Sequence, residues 1–132
     1  MTTFHWQLNV YYEDTDAGGV VYYANYLKFL ERARTEWLRS KGINQYQVSK
    51  DYGAIFAVRS VSIDYKKPAQ LDDQLSVSVE VLEVRKASLS MEQNIVNNND
   101  ELIVNAAVNI VCLHDGSFSP CPIPQTIYEA IK

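Results

Sequence analysis

Residues 12–26 read YEDTDAGGVVYYANY, and this stretch decides how the whole chain is interpreted. Its first half places Glu13, Asp14 and Asp16 beside a pair of glycines, and its second half leads into a predicted helix. The N–H groups that are free at the start of a helix, together with the positive end of its dipole, stabilise a developing oxyanion. A carboxylate nearby can act as a base or as a nucleophile. The stretch therefore indicates an active site at the start of a helix.

Size and composition are typical of one globular domain. The chain has 132 residues, of which 47% are hydrophobic and 21% are charged, so we expect a single domain over residues 1–132. The net charge of −4 argues against a protein that binds nucleic acids or anionic membranes. No apolar stretch is long enough for a transmembrane segment, and the N-terminus lacks the features of a signal peptide. Because the cysteines Cys112 and Cys121 also form no disulfide framework, we expect a cytoplasmic protein.

Hydrophobic periodicity predicts a strand, a long helix and then four strands, which is an α+β order with one sheet wrapped around one helix. The first strand is indicated by alternating apolar residues from Phe4 to Val10. The helix is expected to end near Gly42 and to be followed by a polar, turn-rich segment over residues 44–53. Its apolar face is predicted to contain Tyr26, Leu27, Leu30, Ala33, Trp37 and Leu38.

The later strands and the charged face of the helix give more detailed expectations. One face of the second strand, which ends at Lys66, is predicted to carry Ile55, Ala57, Val61, Ile63 and Tyr65. The last strand is apolar on more than one face, which is typical of a strand inside a sheet. Residues 97–100 are predicted to form a hairpin turn, and residues 125–131 a short helix. Surface ion pairs are expected among four charged residues of the long helix, Glu31, Arg32, Arg34 and Glu36.

Three segments together resemble a known family. These are the run from Asp14 to Tyr22, the pair Asn25-Tyr26, and residues 31–36, which read ERARTE. They are similar to the 4-hydroxybenzoyl-CoA thioesterase family of hot-dog proteins, and more closely to its branch of Tol-Pal-associated acyl-CoA thioesterases. A second stretch that is typical of this branch contains Tyr65, Pro68-Ala69 and Leu71-Asp72-Asp73. The predicted order of elements fits the family over essentially the whole chain.

The resemblance implies a fold, an assembly and a reaction. The fold would be a long helix wrapped by a five- or six-stranded antiparallel sheet. Two subunits would join their sheets edge to edge, with active sites at the interface, and two dimers would often pair into a homotetramer. The implied reaction is the hydrolysis of an acyl-CoA thioester without a metal or redox cofactor. The branch suggests short-chain aliphatic acyl groups as substrates, and aromatic acyl groups are the alternative.

The resemblance also implies roles for residues of the first motif. Asp16 corresponds to the family's catalytic acid, either as nucleophile or as general base, although a loop aspartate often serves only as a helix cap. Tyr23 corresponds to the position whose backbone N–H donates to the thioester carbonyl. Many relatives have histidine there, and for the tyrosine side chain we expect simple packing. Around these two positions, substrate contacts are predicted for Gly18, Gly19, Val20 and Tyr22.

Basic residues are candidates for binding the phosphates of CoA. Arg59, Lys66, Arg85 and Lys86 lie near predicted strand ends, although scattered surface charge explains each of them equally well. No metal site is predicted, because His5 and His114 lack a Cys or an acid at ligand spacing.

Two alternatives to an acyl-CoA thioesterase stay open from the sequence. The substrate could be the thioester of an acyl carrier protein, which shares the phosphopantetheine arm but is acidic, so the net charge of −4 argues mildly against it. The chain could instead be an acyl-CoA-binding partner of the Tol-Pal envelope system. If Asp16 were not the catalytic acid, Glu31 on the long helix would be the next candidate.

Overall fold

One antiparallel sheet and one long helix account for most of the core in a computed structural model, which describes residues 3–132. Five strands are present: β1 (Phe4–Asn9), β2 (Ala54–Tyr65), β3 (Gln74–Val84), β4 (Ser88–Val96) and β5 (Leu102–His114). The helices are α1 (Asn25–Ser40), α2 (Gln45–Tyr52) and α3 (Gln125–Ile131), and a 3-10 turn covers Tyr12–Asp14. The predicted α+β class and the predicted short C-terminal helix are confirmed.

The strands lie in the order β1-β3-β4-β5-β2, and every pair is antiparallel. β5 is an interior strand, as its apolar residues on both faces predicted, and β1 and β2 form the two edges. The turn expected at 97–100 joins β4 to β5, where Asn97 Oδ1 accepts hydrogen bonds from the N–H groups of Asn99 and Glu101. No helix within residues 3–132 has the length and apolar character needed to cross a membrane.

α1 packs one face against the sheet. Its buried residues are Tyr26, Phe29, Leu30, Ala33, Trp37 and Leu38. The prediction was wrong at Leu27, which is 43% exposed, because the buried stripe passes through Phe29 instead. Fully burying side chains of this size contributes about 1.5–3 kcal/mol each to the free energy of unfolding. The stripe therefore holds α1 firmly on the sheet.

The segment predicted as a polar turn region forms a helix. Asn44 caps α2, since its side-chain oxygen accepts a hydrogen bond from the N–H of Gln47 at 3.1 Å. Gly53 ends the helix in the left-handed conformation with φ of 62°. Val48 is its one buried residue, so the apolar periodicity that reveals a longer helix was missing here. The features of the sequence that could have predicted α2 are its two capping residues, Asn44 and Gly53.

A bulge in β2 overturns the predicted face of that strand. The register with β5 shifts between Val58 and Ser60, so Arg59 is the extra residue. Ile63 pairs with buried Ala106 on the face toward α1, whereas Ala57 pairs with Val111 on the opposite face. Ile55 and Ala57 thus do not share a face with Val61 and Ile63. A bulge reverses the alternation of side chains, and periodicity that is read as a strict repeat of two residues misses it.

Candidate active site

Asp16 lies at the tip of a tight, exposed loop between the 3-10 turn and α1. Its own N–H donates to the carbonyl of Val20 at 2.9 Å, and its carbonyl accepts from the N–H of Gly19 at 3.0 Å. Its carboxylate Oδ1 accepts from the N–H of Gly18 at 2.9 Å. The side chain is thereby oriented by backbone groups of its own loop while the residue stays exposed to solvent.

The two glycines of the loop are needed for different structural reasons. A Cβ atom at Gly18 would lie 3.3 Å from Asp16 Oδ1, so a side chain there would shift the carboxylate by a few tenths of an ångström. Gly19 adopts φ of +78°, which side chains disfavour, and a Cβ atom there would meet nothing within 4 Å. Gly18 therefore allows the close approach to Asp16, and Gly19 makes the turn.

The start of α1 is tied to the loop through Asp14. The carbonyl of Asp14 accepts from the N–H of Tyr22 at 3.0 Å and from Asn25 Nδ2 at 2.9 Å. The Asp14 carboxylate accepts from the N–H of Tyr11 at 2.9 Å, on the side of the 3-10 turn that precedes it in the chain. The sequence prediction missed Asn25 as a positioning residue, although it belongs to the recognised motif.

The N–H of Tyr23 is free at this helix start. The first helical N–H groups, those of Asn25 and Tyr26, donate to the carbonyls of Tyr22 and Tyr23. Within residues 3–132, no oxygen accepts a hydrogen bond from the N–H of Tyr23. A free N–H at the positive end of a helix dipole can donate to an anionic or polarised oxygen.

A second loop, residues 69–71, supports the first. The N–H of Val21 donates to the carbonyl of Ala69 at 2.8 Å, and the N–H of Leu71 donates to the carbonyl of Gly19 at 3.3 Å. The buried hydroxyl of Tyr26 accepts from the N–H of Ala69 at 3.0 Å. Burial raises the pKa of Tyr26, so the hydroxyl stays protonated. These bonds connect the Asp16 loop, α1 and the segment after β2.

An aromatic cleft is lined in part by Tyr23. Its space, including the open solvent at its mouth, is about 500 Å³, and its lining includes Val21, Tyr23, Tyr26, Tyr65 and Lys66. The rings of Tyr23 and Tyr65 meet edge to face with centroids 6.0 Å apart. Tyr23 is 61% exposed, and it forms one wall of the cleft. Such a cleft can hold an apolar group against aromatic rings of the residue that carries the free N–H.

The predicted basic residues do not lie together within one chain. Lys66 lines the aromatic cleft. Arg59, expected near a strand end, lies in the middle of β2 at the bulge. Arg85 and Lys86 follow the far end of β3, roughly 30 Å from its start beside the Asp16 loop. Arg85 is also engaged by Glu83 at 2.8 Å and by Ser88 and Ser90.

The charged residues of α1 also differ from the prediction. Glu36 pairs with Arg39 at 2.6 Å, but Glu31 accepts from the hydroxyl of Thr35 at 2.6 Å. Arg34 is half-buried, and its Nη1 donates to Gln93 Oε1 at 3.0 Å. Arg34 is therefore part of a buried polar network rather than a surface ion pair. Within residues 3–132, no group of three or more His, Cys, Asp or Glu side chains is arranged to hold a metal ion.

Known proteins share both the sequence and the fold. Residues 18–104 match the model of the thioesterase superfamily. The matched segment begins two residues after Asp16. The chain is 43% identical to the acyl-CoA thioester hydrolase YbgC of Escherichia coli O6:H1, over 99% of this chain and 97% of that protein. It is 42% identical to the acyl-CoA thioesterase YbgC of Haemophilus influenzae, over 96% and 93% of the two chains.

A solved structure agrees with these sequence relatives. The probable thioesterase from Bartonella henselae is 33% identical and superposes with a TM-score of 0.88, covering 93% of this chain and 100% of the other. The hot-dog fold predicted from the sequence is thus confirmed, with five strands around α1. By sequence, by fold and by the matched segment that includes the glycine loop, this chain belongs to the thioesterase superfamily.

Proposed function

We propose that this protein hydrolyses acyl-CoA thioesters to a free acid and CoA. The observation that carries the proposal is the combination of an oriented, exposed carboxylate at Asp16 with the free N–H of Tyr23 at the start of α1. The names of the relatives from Escherichia coli and Haemophilus influenzae support acyl-CoA as the substrate class. The aromatic cleft, which Tyr23 helps to line, offers an apolar surface for the acyl group.

In the proposed reaction, the thioester carbonyl oxygen accepts a hydrogen bond from the N–H of Tyr23. Asp16 either removes a proton from water, whose oxygen attacks the carbonyl carbon, or attacks through its own carboxylate oxygen. The developing oxyanion is stabilised by the N–H and by the positive end of α1. The C–S bond then breaks, and CoA leaves as a thiolate that takes up a proton from solvent. In the second route, water hydrolyses the resulting anhydride and restores Asp16.

We also propose that two copies join through their β2 edges. β2 is an edge strand of 12 residues, and it exposes Val58 and Val61 at 47% and 40%. A long edge strand with exposed apolar residues tends to pair with another strand. β1, the other edge, has 6 residues. Size measurement in solution should give a dimer, or a tetramer if two dimers associate, and a charged substitution such as Val61→Lys should weaken the assembly.

The first test compares Asp16→Asn with a matched control, Glu13→Gln. Free-thiol release from short-chain, long-chain and aromatic acyl-CoAs should fall at least about a hundredfold for Asp16→Asn, because the amide is neither a base nor a nucleophile. Glu13 is an exposed acid of the same segment, so its substitution should leave the rate unchanged. Undiminished turnover by a folded Asp16→Asn variant would contradict the role of Asp16 and would make Glu31 the next residue to test.

The role of the Tyr23 backbone needs a different pair of variants. Tyr23→Phe keeps the N–H and should retain most activity, whereas Tyr23→Pro removes the N–H and should lose about a hundredfold or more in kcat. Circular dichroism and urea denaturation would check that both variants fold. Equal activity of the two variants would contradict the proposed oxyanion donor.

Other expectations from the resemblance stay predictions. Phosphate binding by Arg59, Lys66, Arg85 and Lys86 would be tested by the KM for acyl-CoA after charge removal. If no acyl-CoA is hydrolysed, acyl-carrier-protein thioesters are the next substrates, and retained CoA binding without turnover would favour a binding role. Cell fractionation and co-purification would test the cytoplasmic location and the association with the Tol-Pal system.

A further inference from the structure

Two thiols outside the Asp16 site meet in the core at the end of β5. Cys112 belongs to β5, and Cys121 lies in the segment that leads to α3. The two residues are 0% and 6% exposed, and their sulfurs are 3.5 Å apart. The chain has no other cysteine. The proposed hydrolysis uses neither thiol, so the contact between them needs an explanation of its own.

The backbone places the two cysteines directly opposite each other. The chain turns back after β5, and the N–H of Cys121 donates to the carbonyl of Cys112 at 3.0 Å. Nearer the turn, the N–H of His114 donates to the carbonyl of Ser119 at 2.8 Å, so the two segments run antiparallel. Hydrogen-bonded residues that face each other in this way have Cα atoms about 5.5 Å apart. That separation lies within the range found for disulfide-bonded cysteines.

The turn between the cysteines can absorb the movement that a bond requires. To form a disulfide, the sulfurs must approach from 3.5 Å to about 2.0 Å. β5 is held on both sides, by β4 and by β2. Residues 114–120, which join the two cysteines, are exposed at every position. The approach therefore falls on the exposed turn and on Cys121, while Cys112 stays in its strand.

We propose that Cys112 and Cys121 form a reversible disulfide when the protein meets a hydroperoxide such as hydrogen peroxide. Cys121 has the more exposed sulfur-bearing side chain, so it reacts with the peroxide first, becomes a sulfenic acid and releases one water. The Cys112 sulfur then attacks the Cys121 sulfur, and the departing hydroxyl group takes up the Cys112 proton as a second water. Both sulfurs are oxidised, and the peroxide oxygens are reduced to water.

The environment of Cys112 fits the second step better than the first. Burial, followed by the contact with Cys121, raises the pKa of Cys112, so this thiol stays protonated and reacts poorly with an oxidant from solution. A sulfenic acid at Cys121 would lie in direct contact with it. The resulting bond connects β5 to the segment that carries the buried Ile123 and leads into α3. Oxidation thus fastens the C-terminal segment to the sheet.

Mass spectrometry of the peroxide-treated, folded chain tests the bond. After the peroxide is removed, the chain is unfolded and treated with iodoacetamide, which labels every remaining thiol. We expect an unlabelled chain that has lost two hydrogen atoms, a peptide pair joined through Cys112 and Cys121, and recovery of both thiols with dithiothreitol. Two labelled thiols after a treatment that oxidises the urea-unfolded chain, or disulfides only between chains, would overturn the proposal.

Single variants test the order of the two steps. Cys112→Ser removes the second thiol, so the sulfenic acid at Cys121 should persist and be trapped by dimedone at about ten times the wild-type yield. Cys121→Ser is the matched control, because Cys112 is fully buried and should stay a free thiol. Equal dimedone yields from wild type and folded Cys112→Ser would contradict this order. If a variant does not fold, the wild-type measurement still decides whether the bond forms.

Glutathione buffers test whether the fold favours the bond. The ratio of disulfide to dithiol is measured at equilibrium with oxidised and reduced glutathione, once for the folded chain and once in urea. The folded chain should favour the disulfide at least about tenfold more, because its sulfurs are already in contact. An equal or weaker preference would overturn the proposal. These measurements do not involve hydrolysis, so Asp16→Asn protein should give the same disulfide whether or not the proposed function is correct.

Discussion

The loop before α1 and the middle of α1 both present polar groups, but they hold them in opposite ways. In the loop, Asp16 is exposed and is oriented by N–H and carbonyl groups of residues 18–20. In the middle, Arg34 is half-buried and is held by Gln93, which lies 59 residues away in the sequence. The first arrangement depends on the local backbone conformation, and the second depends on the packing of α1 against β4.

This difference predicts where substitutions act. The Asp16 loop is solvated, so a polar group that loses its partner there can bond to water at little cost. In the Arg34–Gln93 network, Gln93 is fully buried and Arg34 is half-buried, so a lost partner leaves a poorly solvated charge. Changes in the middle of α1 should therefore lower the stability of the fold, and changes in the Asp16 loop should lower activity with small effects on stability.

The largest effect on stability is expected for Gln93→Leu. Leucine removes the partner of a desolvated guanidinium, and the free energy of unfolding should fall by about 3 kcal/mol. Urea denaturation at neutral pH measures the change. The double variant Arg34→Met, Gln93→Leu should be milder, with a loss of about 1 kcal/mol, because no buried charge remains. A single substitution that costs less than the double would contradict the account of this network.

Tyr26→Phe should have the next largest effect, because it removes the acceptor of the buried N–H of Ala69. The free energy of unfolding should fall by about 1–3 kcal/mol. Tyr65→Phe is the matched control, since Tyr65 is 46% exposed, and its loss should stay within about 0.5 kcal/mol. Equal losses for the two variants would mean that the hydroxyl of Tyr26 does not hold the 69–71 loop.

The two loop glycines should separate activity from stability. Gly19→Ala places a side chain at φ of +78° and should cost about 1 kcal/mol of stability. Gly18→Ala should change stability by less than about 0.5 kcal/mol but lower kcat about tenfold, because it displaces the Asp16 carboxylate. Thiol-release rates and urea denaturation of both variants measure the two effects. The reverse pattern would show that the orientation of Asp16 does not limit the reaction.

The smallest effect on stability is expected from titration of the buried thiols, which contrast with the exposed Asp16 loop. Cys112 and Cys121 are 0% and 6% exposed, with their sulfurs 3.5 Å apart. Burial, followed by the contact with Cys121, raises the pKa of Cys112. Because the unfolded chain releases this proton near pH of about 8.5 and the native state retains it, stability should decrease as the pH rises above that value. A thiol reagent at pH 8 should react with Cys112 after denaturation and not before; rapid native reaction would contradict its burial.

Local patterns account for the parts of the protein that were predicted. The alternation from Phe4 to Val10 and the spacing from Tyr26 to Leu38 identified β1 and α1, because burial on one face imposes those periods. The position of Asp16 beside two glycines was recognisable for a similar reason, since the hydrogen bonds of Asp16 itself join residues at most four apart. Interactions between residues that are close in the sequence can therefore be predicted from the sequence.

The sequence by itself thus determined the α+β order, the long helix and a carboxylate near its start. The tertiary structure decided the bulge at Arg59, the bond between Tyr26 and Ala69, and the pairing of Arg34 with Gln93. The last two partners lie 43 and 59 residues apart, so their meeting depends on strand register and on how α1 packs against the sheet. Periodicity shows which face of an element is buried, but only the packed fold shows which polar groups share that buried space.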